Sequence, residues 1–271
     1  MTDILRDPTR SALTAAIEAN AVAMARAWRA WPGLEMHDCP SLTWMATDVR
    51  CAIFNGVLAA CLPANGTDAA IAAALAPFKA RGLPMNWWIG PGSRPTDLAR
   101  RLDAAGLAPA GAMRGMAADL AGLDDTRPVP DGLSVDEVSG DDMLHAWAEV
   151  TTECFEFPEF ARRPWLDVHA AAGYGGDGRL RHFLGRLDGR AVAASTMYPA
   201  AGVAGIANVA TLPTARRRGI AKAVTLVSLL EARRRGYRFG TLAAAKGAEG
   251  LNRRLGFDRY CTLRVYLWAP D

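Results

Sequence analysis

From Val209 to Ala223 the chain reads Val-Ala-Thr-Leu-Pro-Thr-Ala-Arg-Arg-Arg-Gly-Ile-Ala-Lys-Ala, a spacing suited to holding an anion. A strand ends at the proline, three arginines follow, and Gly219 opens a helix. The amides of a helix's first turn have no partner within the helix, and they sum with the helix dipole to a positive patch that suits a diphosphate ester. Gly219 permits close approach of the backbone, and Arg216, Arg217 and Arg218 can add charge-assisted contacts. Taken alone, the run reads equally as an ordinary basic helix start with solvated arginines.

The elements around the turn follow from periodicity. Ile220, Val224, Val227 and Leu230 recur at helical spacing, and Gly236 ends that helix. Tyr237 to Ala244 then reads as a strand. The predicted unit is strand, turn, helix, strand, a right-handed crossover between parallel strands.

Arg216, Gly219 and Ala221 fit the acetyl-CoA signature of the GCN5-related N-acetyltransferases (Arg or Gln, two residues, Gly, one residue, Gly or Ala), which the run resembles. Ile206 to Leu212 supplies the strand before it, and Pro213 the family's usual proline. Downstream, Leu251-Asn-Arg-Arg-Leu-Gly-Phe resembles the family's helix ending in a Gly-Phe turn. The resemblance covers about the last half of the chain. It implies a mixed α/β fold, α+β-like, with a central mixed sheet flanked by helices. It further implies acetyl-CoA, or another acyl-CoA, as co-substrate with no metal, and a small-molecule amine as acceptor. Main-chain groups of Val209 and Thr211 would pair with the pantetheine arm as a strand would. The amides of Arg217 through Gly219, Ile220, Ala221 and Lys222 would hold the pyrophosphate, and the amide of Thr211 would polarise the thioester carbonyl. Where the family often has a tyrosine that protonates the leaving thiolate, this chain has Asn252, which can donate a hydrogen bond to sulfur but is no acid.

The general base is less marked. Asn208 stands about where several relatives carry a carboxylate. Thr152-Glu-Cys-Phe-Glu-Phe-Pro-Glu-Phe falls where the family places its variable acceptor-binding helices, and offers Glu153, Glu156 and Glu159 among aromatic residues. Glu153 is the base expected here, by virtue of a pKa raised beside Phe155, Phe157 and Trp165. His182, in the expected strand Arg181 to Leu187, is the alternative.

Two domains are expected, 1–125 and 132–271, because the prolines and glycine of 123–132 break periodicity and an alternating strand restarts at Leu133. In the first half, a helix over 11–30, strand and turn material from Trp44 to Phe54, and a helix from Thr67 to Arg81 are predicted. A leucine-bearing helix capped by Thr96 and ended by Gly106, followed by a strand over 113–120, echoes Leu251 to Phe257. The halves thus read as tandem copies of which the first is degenerate, since it has no arginine-glycine turn. Gly90-Pro-Gly-Ser reads as a tight turn, because Pro91 removes a donor.

The 271 residues carry a net charge of +3, too mild for a nucleic-acid partner. Cys39, Cys51, Cys61, Cys154 and Cys261 are scattered without zinc-ligand spacing, which fits reduced thiols and a cytoplasmic protein. Neither a secretion signal nor a membrane span is expected. The reading is an acyl-CoA-dependent N-acyltransferase working by direct attack in a ternary complex, as a monomer or homodimer. The alternatives are a non-catalytic acyl-CoA-binding or regulatory protein on the same fold, or a copy that transfers an aminoacyl group or decarboxylates an acyl-CoA.

Overall fold

The computed structural model describes residues 3–124, 129–175 and 180–270. The chain opens with α1 (Arg10–Ala27), whose start is fixed by Thr9 Oγ1 accepting from the Ala12 amide at 3.3 Å. Three short strands follow, β1 (Glu35–Cys39), β2 (Leu42–Ala46) and β3 (Gly56–Ala60), then α2 (Thr67–Arg81), β4 (Met85–Ile89), α3 (Leu98–Ala104) and β5 (Ala108–Asp119). The second half comprises β6 (Leu133–Glu137), α4 (Asp141–Cys154), α5 (Glu159–Ala172), β7 (Arg181–Leu187), β8 (Arg190–Ala200), β9 (Val203–Thr211), α6 (Ile220–Arg234), β10 (Phe239–Ala244), α7 (Glu249–Arg253) and β11 (Asp258–Trp268).

Contacts group the chain into two compact units, Met1–Trp31 with Gly115–Tyr260, and Pro32–Arg114 with Cys261–Asp271. The sequential division at 123–132 therefore differs from the grouping by contact. Helix α1 joins the unit built from the second half, and the end of β11 joins the unit built from the first. The physical reason is strand exchange. Within the larger unit the sheet runs β5-β10-β9-β8-β7-β6, so its last position is filled by the strand that closes the first half. Within the smaller unit β4 pairs antiparallel with β11 over Met85–Ile89 and Arg264–Trp268.

In the larger unit β6 through β9 form an antiparallel meander, and the β9–α6–β10 crossover sets β10 parallel to β9. One face of the sheet is covered by α6, through Ile220, Val224 and Leu229 against Met197, Ile206 and Leu242. Helix α6 closes at Gly236, φ 85°, with Tyr237 N–H bonded to Ala232 C=O. Its arginines do not all face water: Arg234 and Arg235 pair with Glu231, and Arg233 donates to the Leu123 carbonyl at 3.0 Å.

The smaller unit repeats the plan in reduced form. β3 is parallel to β4, joined through α2, and its core gathers Ile71, Leu75, Phe78, Met85, Trp87 and Leu102. Helix α3 begins after Asp97 rather than at Thr96, and the Asp97 carboxylate is drawn into ion pairs with Arg100 and Arg101 instead of capping. Gly90 to Ser93 is a tight turn, closed by Ser93 N–H on Gly90 C=O.

Candidate acyl-coenzyme site

Among the described residues, strands β9 and β10 are paired only at Ala204–Ile206 with Gly240–Leu242. Beyond that rung the two diverge. A bulge in β9 contributes: its register with β8 shifts between Ala194 and Thr196, and Asn208 adopts φ 53° in the left-handed region. Past the bulge, Leu212 N–H bonds Val192 C=O at 2.9 Å, so alternation turns the Thr211 amide away from β8, toward the side that β10 has left. The result is a length of strand edge from Ala207 to Ala210 that β10 leaves unpaired, closed at Ile206 and open toward the arginine turn beyond Thr211, whose main chain meets the Cys154 thiol and Arg216.

The open end leads into the arginine turn. Pro213–Ala215 form one short turn, Arg217 takes φ 62°, and Gly219 takes φ 80° as the N-cap of α6. Among the described residues no side chain caps this helix, and its first internal bond is Ala223 N–H to Gly219 C=O. The amides of Ile220, Ala221 and Lys222 are therefore the unbonded ones of the first turn. Left-handed residues at Arg217 and Gly219 curve the turn into a concave run of amides, the form that binds anions. Among the described residues, a side chain at Gly219 would meet only Pro130 Cγ, at 3.6 Å from the added Cβ, and the positive φ is what disfavours other residues there.

Arg217 and Arg218 are exposed beside this turn. Arg216 acts within the protein instead, where its Nε donates to the Thr211 carbonyl at 3.1 Å and pins the turn to the end of β9. The expectation that all three arginines reach toward phosphate is thus modified for Arg216. The Cys154 thiol lies within hydrogen-bonding reach of Arg216 and of the Thr211 main chain, which brings the end of α4 to the open end of β9. Burial pushes this thiol's pKa up, against the opposing pull of Arg216, so it stays a thiol. Its neighbour Glu153 is exposed at the last turn of α4. Phe157 and Trp165 are buried, whereas Phe155 is 39% exposed, so the aromatic surroundings expected for Glu153 form instead around Phe157. Asn252 is buried in α7, and its carbonyl accepts the Leu255 and Phe257 amides that make the Gly-Phe turn.

Two features had no signal in the sequence. Asn208 Nδ2 lies 3.3 Å from Thr196 Oγ1, and Thr196 Oγ1 lies 2.8 Å from His182 Nδ1, so the bulge is wired to a fully buried histidine. Burial lowers the His182 pKa to about 3, which makes it a neutral hydrogen-bond partner and removes it as a base near neutrality. Behind it His169, also fully buried, sits among Trp28, Trp147 and Trp165 with ring centroids 4.4–5.8 Å away, and neither of its ring nitrogens has a hydrogen-bond partner among the described residues.

The second feature lies in the smaller unit, at the place equivalent to the open edge of β9. There the edge of β3 is occupied by the chain itself: Arg94 N–H bonds Ala60 C=O at 3.0 Å, and Leu62 N–H bonds Arg94 C=O at 3.1 Å. Residue Arg94 forms a parallel bridge with Cys61, so no free edge remains at that rung.

Residues 137–259 match a family model described as the acetyltransferase (GNAT) domain. A search of curated proteins gives no match. Among solved structures, the chain is similar to a GCN5-related N-acetyltransferase from Kribbella flavida, at 20% identity and TM-score 0.70, over 93% of this chain and 96% of that one. It is also similar to a tandem GNAT protein from the clavulanic acid biosynthesis pathway, at 14% identity and TM-score 0.64, over 100% of this chain and 99% of that one. A GCN5-related N-acetyltransferase from Sphaerobacter thermophilus gives 18% identity and TM-score 0.64 over 97% and 94%. Residues 137–259 are therefore a domain of the GNAT acetyltransferase family, carried by a chain that shares its fold with solved GNAT proteins along nearly its whole length.

Proposed function

We propose that the larger unit transfers an acyl group, acetyl in the simplest case, from a coenzyme A thioester to a small amine by direct attack. The observation that carries this is the free edge of β9 running into the uncapped N-terminus of α6. An extended arm with two amides is the partner such an edge accepts, and a diphosphate is the partner such a terminus accepts. In this reading the amides from Arg217 to Lys222 hold the pyrophosphate, with Arg217 and Arg218 adding charge. Arg216 fixes the turn. Thr211 and Val209 pair with the arm.

Thr211 lies nearest the turn, so it serves the arm rather than the thioester. Carbonyl polarisation then passes to the bulge amide of Asn208, deeper along the edge. The amine nitrogen attacks the thioester carbon, the C–S bond breaks, and the proton shed by the nitrogen as the amide forms passes to the departing thiolate. Glu153 removes the proton from the incoming ammonium, and the Asn252 carboxamide donates a hydrogen bond to the sulfur. A second reading, coenzyme binding without turnover, draws on one observation: the positions suited to acid and base work at the bulge and in α7 are both carboxamides, Asn208 and Asn252.

Titration calorimetry with acetyl-CoA, followed by a free-thiol assay over a panel of amines, tests both. Binding with amine-dependent thiol release is expected. Binding without release on any amine selects the second reading, and absence of binding overturns both.

A further inference from the structure

Where β9 and β10 part, a cleft of about 70 Å³ opens on the sheet face opposite α6. Its floor is formed by Gly205, Ala207, Thr241 and Ala243 on the two diverging strands, and its wall by Ile17, Ala21 and Met24 of α1. All of these residues belong to the larger unit. Helix α1 is held there by specific bonds: Asn20 Nδ2 donates to the carbonyls of Tyr198 and Ala200, both at 3.1 Å, and the Tyr198 hydroxyl donates to Ala23 C=O at 2.6 Å. A side chain on Gly205 would run into Asn20, with its Cβ 1.9 Å from Oδ1, so the glycine lets α1 approach while the small floor residues keep the space beside it open.

We propose that this cleft is an acyl-chain pocket, and that the chain's preferred donor carries an acyl group longer than acetyl. The inference rests on the acyltransferase reading above. An arm that enters at Thr211 and pairs along β9 is directed toward the closed end at Ile206, so the group at its tip arrives at the cleft. The lining is mainly apolar, with Asn20 and Tyr198 turned to each other's elements and Thr241 as the other polar member, and it carries no carboxylate, which suits a hydrocarbon tail and leaves an ammonium acceptor without a counter-charge. A water occupies about 30 Å³ of liquid, so the space holds roughly two or three carbon atoms beyond an acetyl methyl. The pocket's wall is α1, an element that sequence order assigns to the other half, which gives the first residues of the chain a part in donor choice.

The test is the ratio of kcat/KM for acetyl-, propionyl-, butyryl- and octanoyl-CoA with one fixed amine, for the wild type, Ala21→Phe and Ala243→Leu. Each methylene that finds apolar cover is worth about fourfold, so butyryl-CoA is expected to exceed acetyl-CoA by roughly tenfold or more, with octanoyl-CoA falling back. Both variants fill the cleft, from the helix and from the sheet, and should bring the butyryl-to-acetyl ratio to one or below. Equal rates for acetyl and butyryl in the wild type would overturn the proposal, as would a ratio that both variants leave intact. Variants that raise the amine's KM while preserving the ratio would assign the cleft to the acceptor instead. Failure of every acyl-CoA to bind in calorimetry would remove the acyltransferase reading itself, whereas binding and turnover confined to acetyl-CoA would remove only the pocket.

Discussion

Replacing His169 by phenylalanine should stabilise the larger unit, and by more in acid than at neutrality. The imidazole is fully buried, packed by three tryptophans and His182, and neither nitrogen is hydrogen-bonded among the described residues. Leaving a buried polar group unsatisfied costs about 1–3 kcal/mol, a cost that a phenyl ring of similar shape avoids. Burial first, and repulsion from His182 second, holds the His169 pKa well below its ordinary value, so the folded protein keeps this ring neutral where the unfolded chain protonates it. The unfolded state then binds more protons, and stability falls as pH drops below about 6.5. Between roughly pH 7 and pH 5 the loss from this one ring is about 2 kcal/mol, and His169→Phe removes it. His182, with its pKa lowered to about 3, contributes the same slope in both proteins and cancels in their difference. Urea unfolding followed by tryptophan fluorescence at both pH values measures the gap directly. A difference that stays the same at the two pH values, or a variant less stable than the wild type at both, would refute the argument that the site is dry and the ring neutral.

Gly219→Asp should weaken acetyl-CoA binding by roughly 100-fold, since it sets a negative charge at the anion site and an L-residue at φ 80°; calorimetry would show it, and unchanged affinity would remove the anion cradle. Calorimetry should also return one coenzyme per chain, because the β3 edge is already paired with Arg94, and a stoichiometry of two would contradict that self-pairing. Glu153→Gln should lower kcat by about 100-fold near neutral pH if this carboxylate is the base, with coenzyme affinity retained; an unaltered kcat moves the role elsewhere. Arg216→Ala, which frees the Thr211 carbonyl from its 3.1 Å bond, should weaken coenzyme binding by roughly tenfold through loss of a charge-assisted hydrogen bond, measured in the same titration.

Local chemistry made much of this fold readable. Helix α2 begins and ends where its alanine-rich run meets Gly66 and Gly82, and α6 lies between Gly219 and Gly236, because glycine in the left-handed region marks helix ends whatever packs nearby. The arginine-glycine turn was legible for the same reason, since a helix start, a glycine and charge all lie within a few residues. What sequence order hid was everything decided by long-range pairing. Neither the transfer of α1 to the larger unit nor the divergence of β9 from β10 after Ile206 leaves a local trace. Arg94 looks like an ordinary loop residue, and only its backbone bonds to Ala60 and Leu62 reveal what it fills. Glu153 shows the limit from the other side: an acidic residue among aromatics suggests a buried carboxyl, yet helix geometry turned it outward while Phe157 and Trp165 went in.

Because each half finishes its partner's sheet, the gene has no clean seam at the linker. A fragment starting at residue 132 would lack both the helix that covers one sheet face and the strand beside β10, and would carry β11 with nothing to pair beyond Cys261. Such a piece offers bare strand edges, the kind that drive chains to stick to one another. Deleting the first half would thereby strip the second of a helix and a strand, so the two are kept together by architecture.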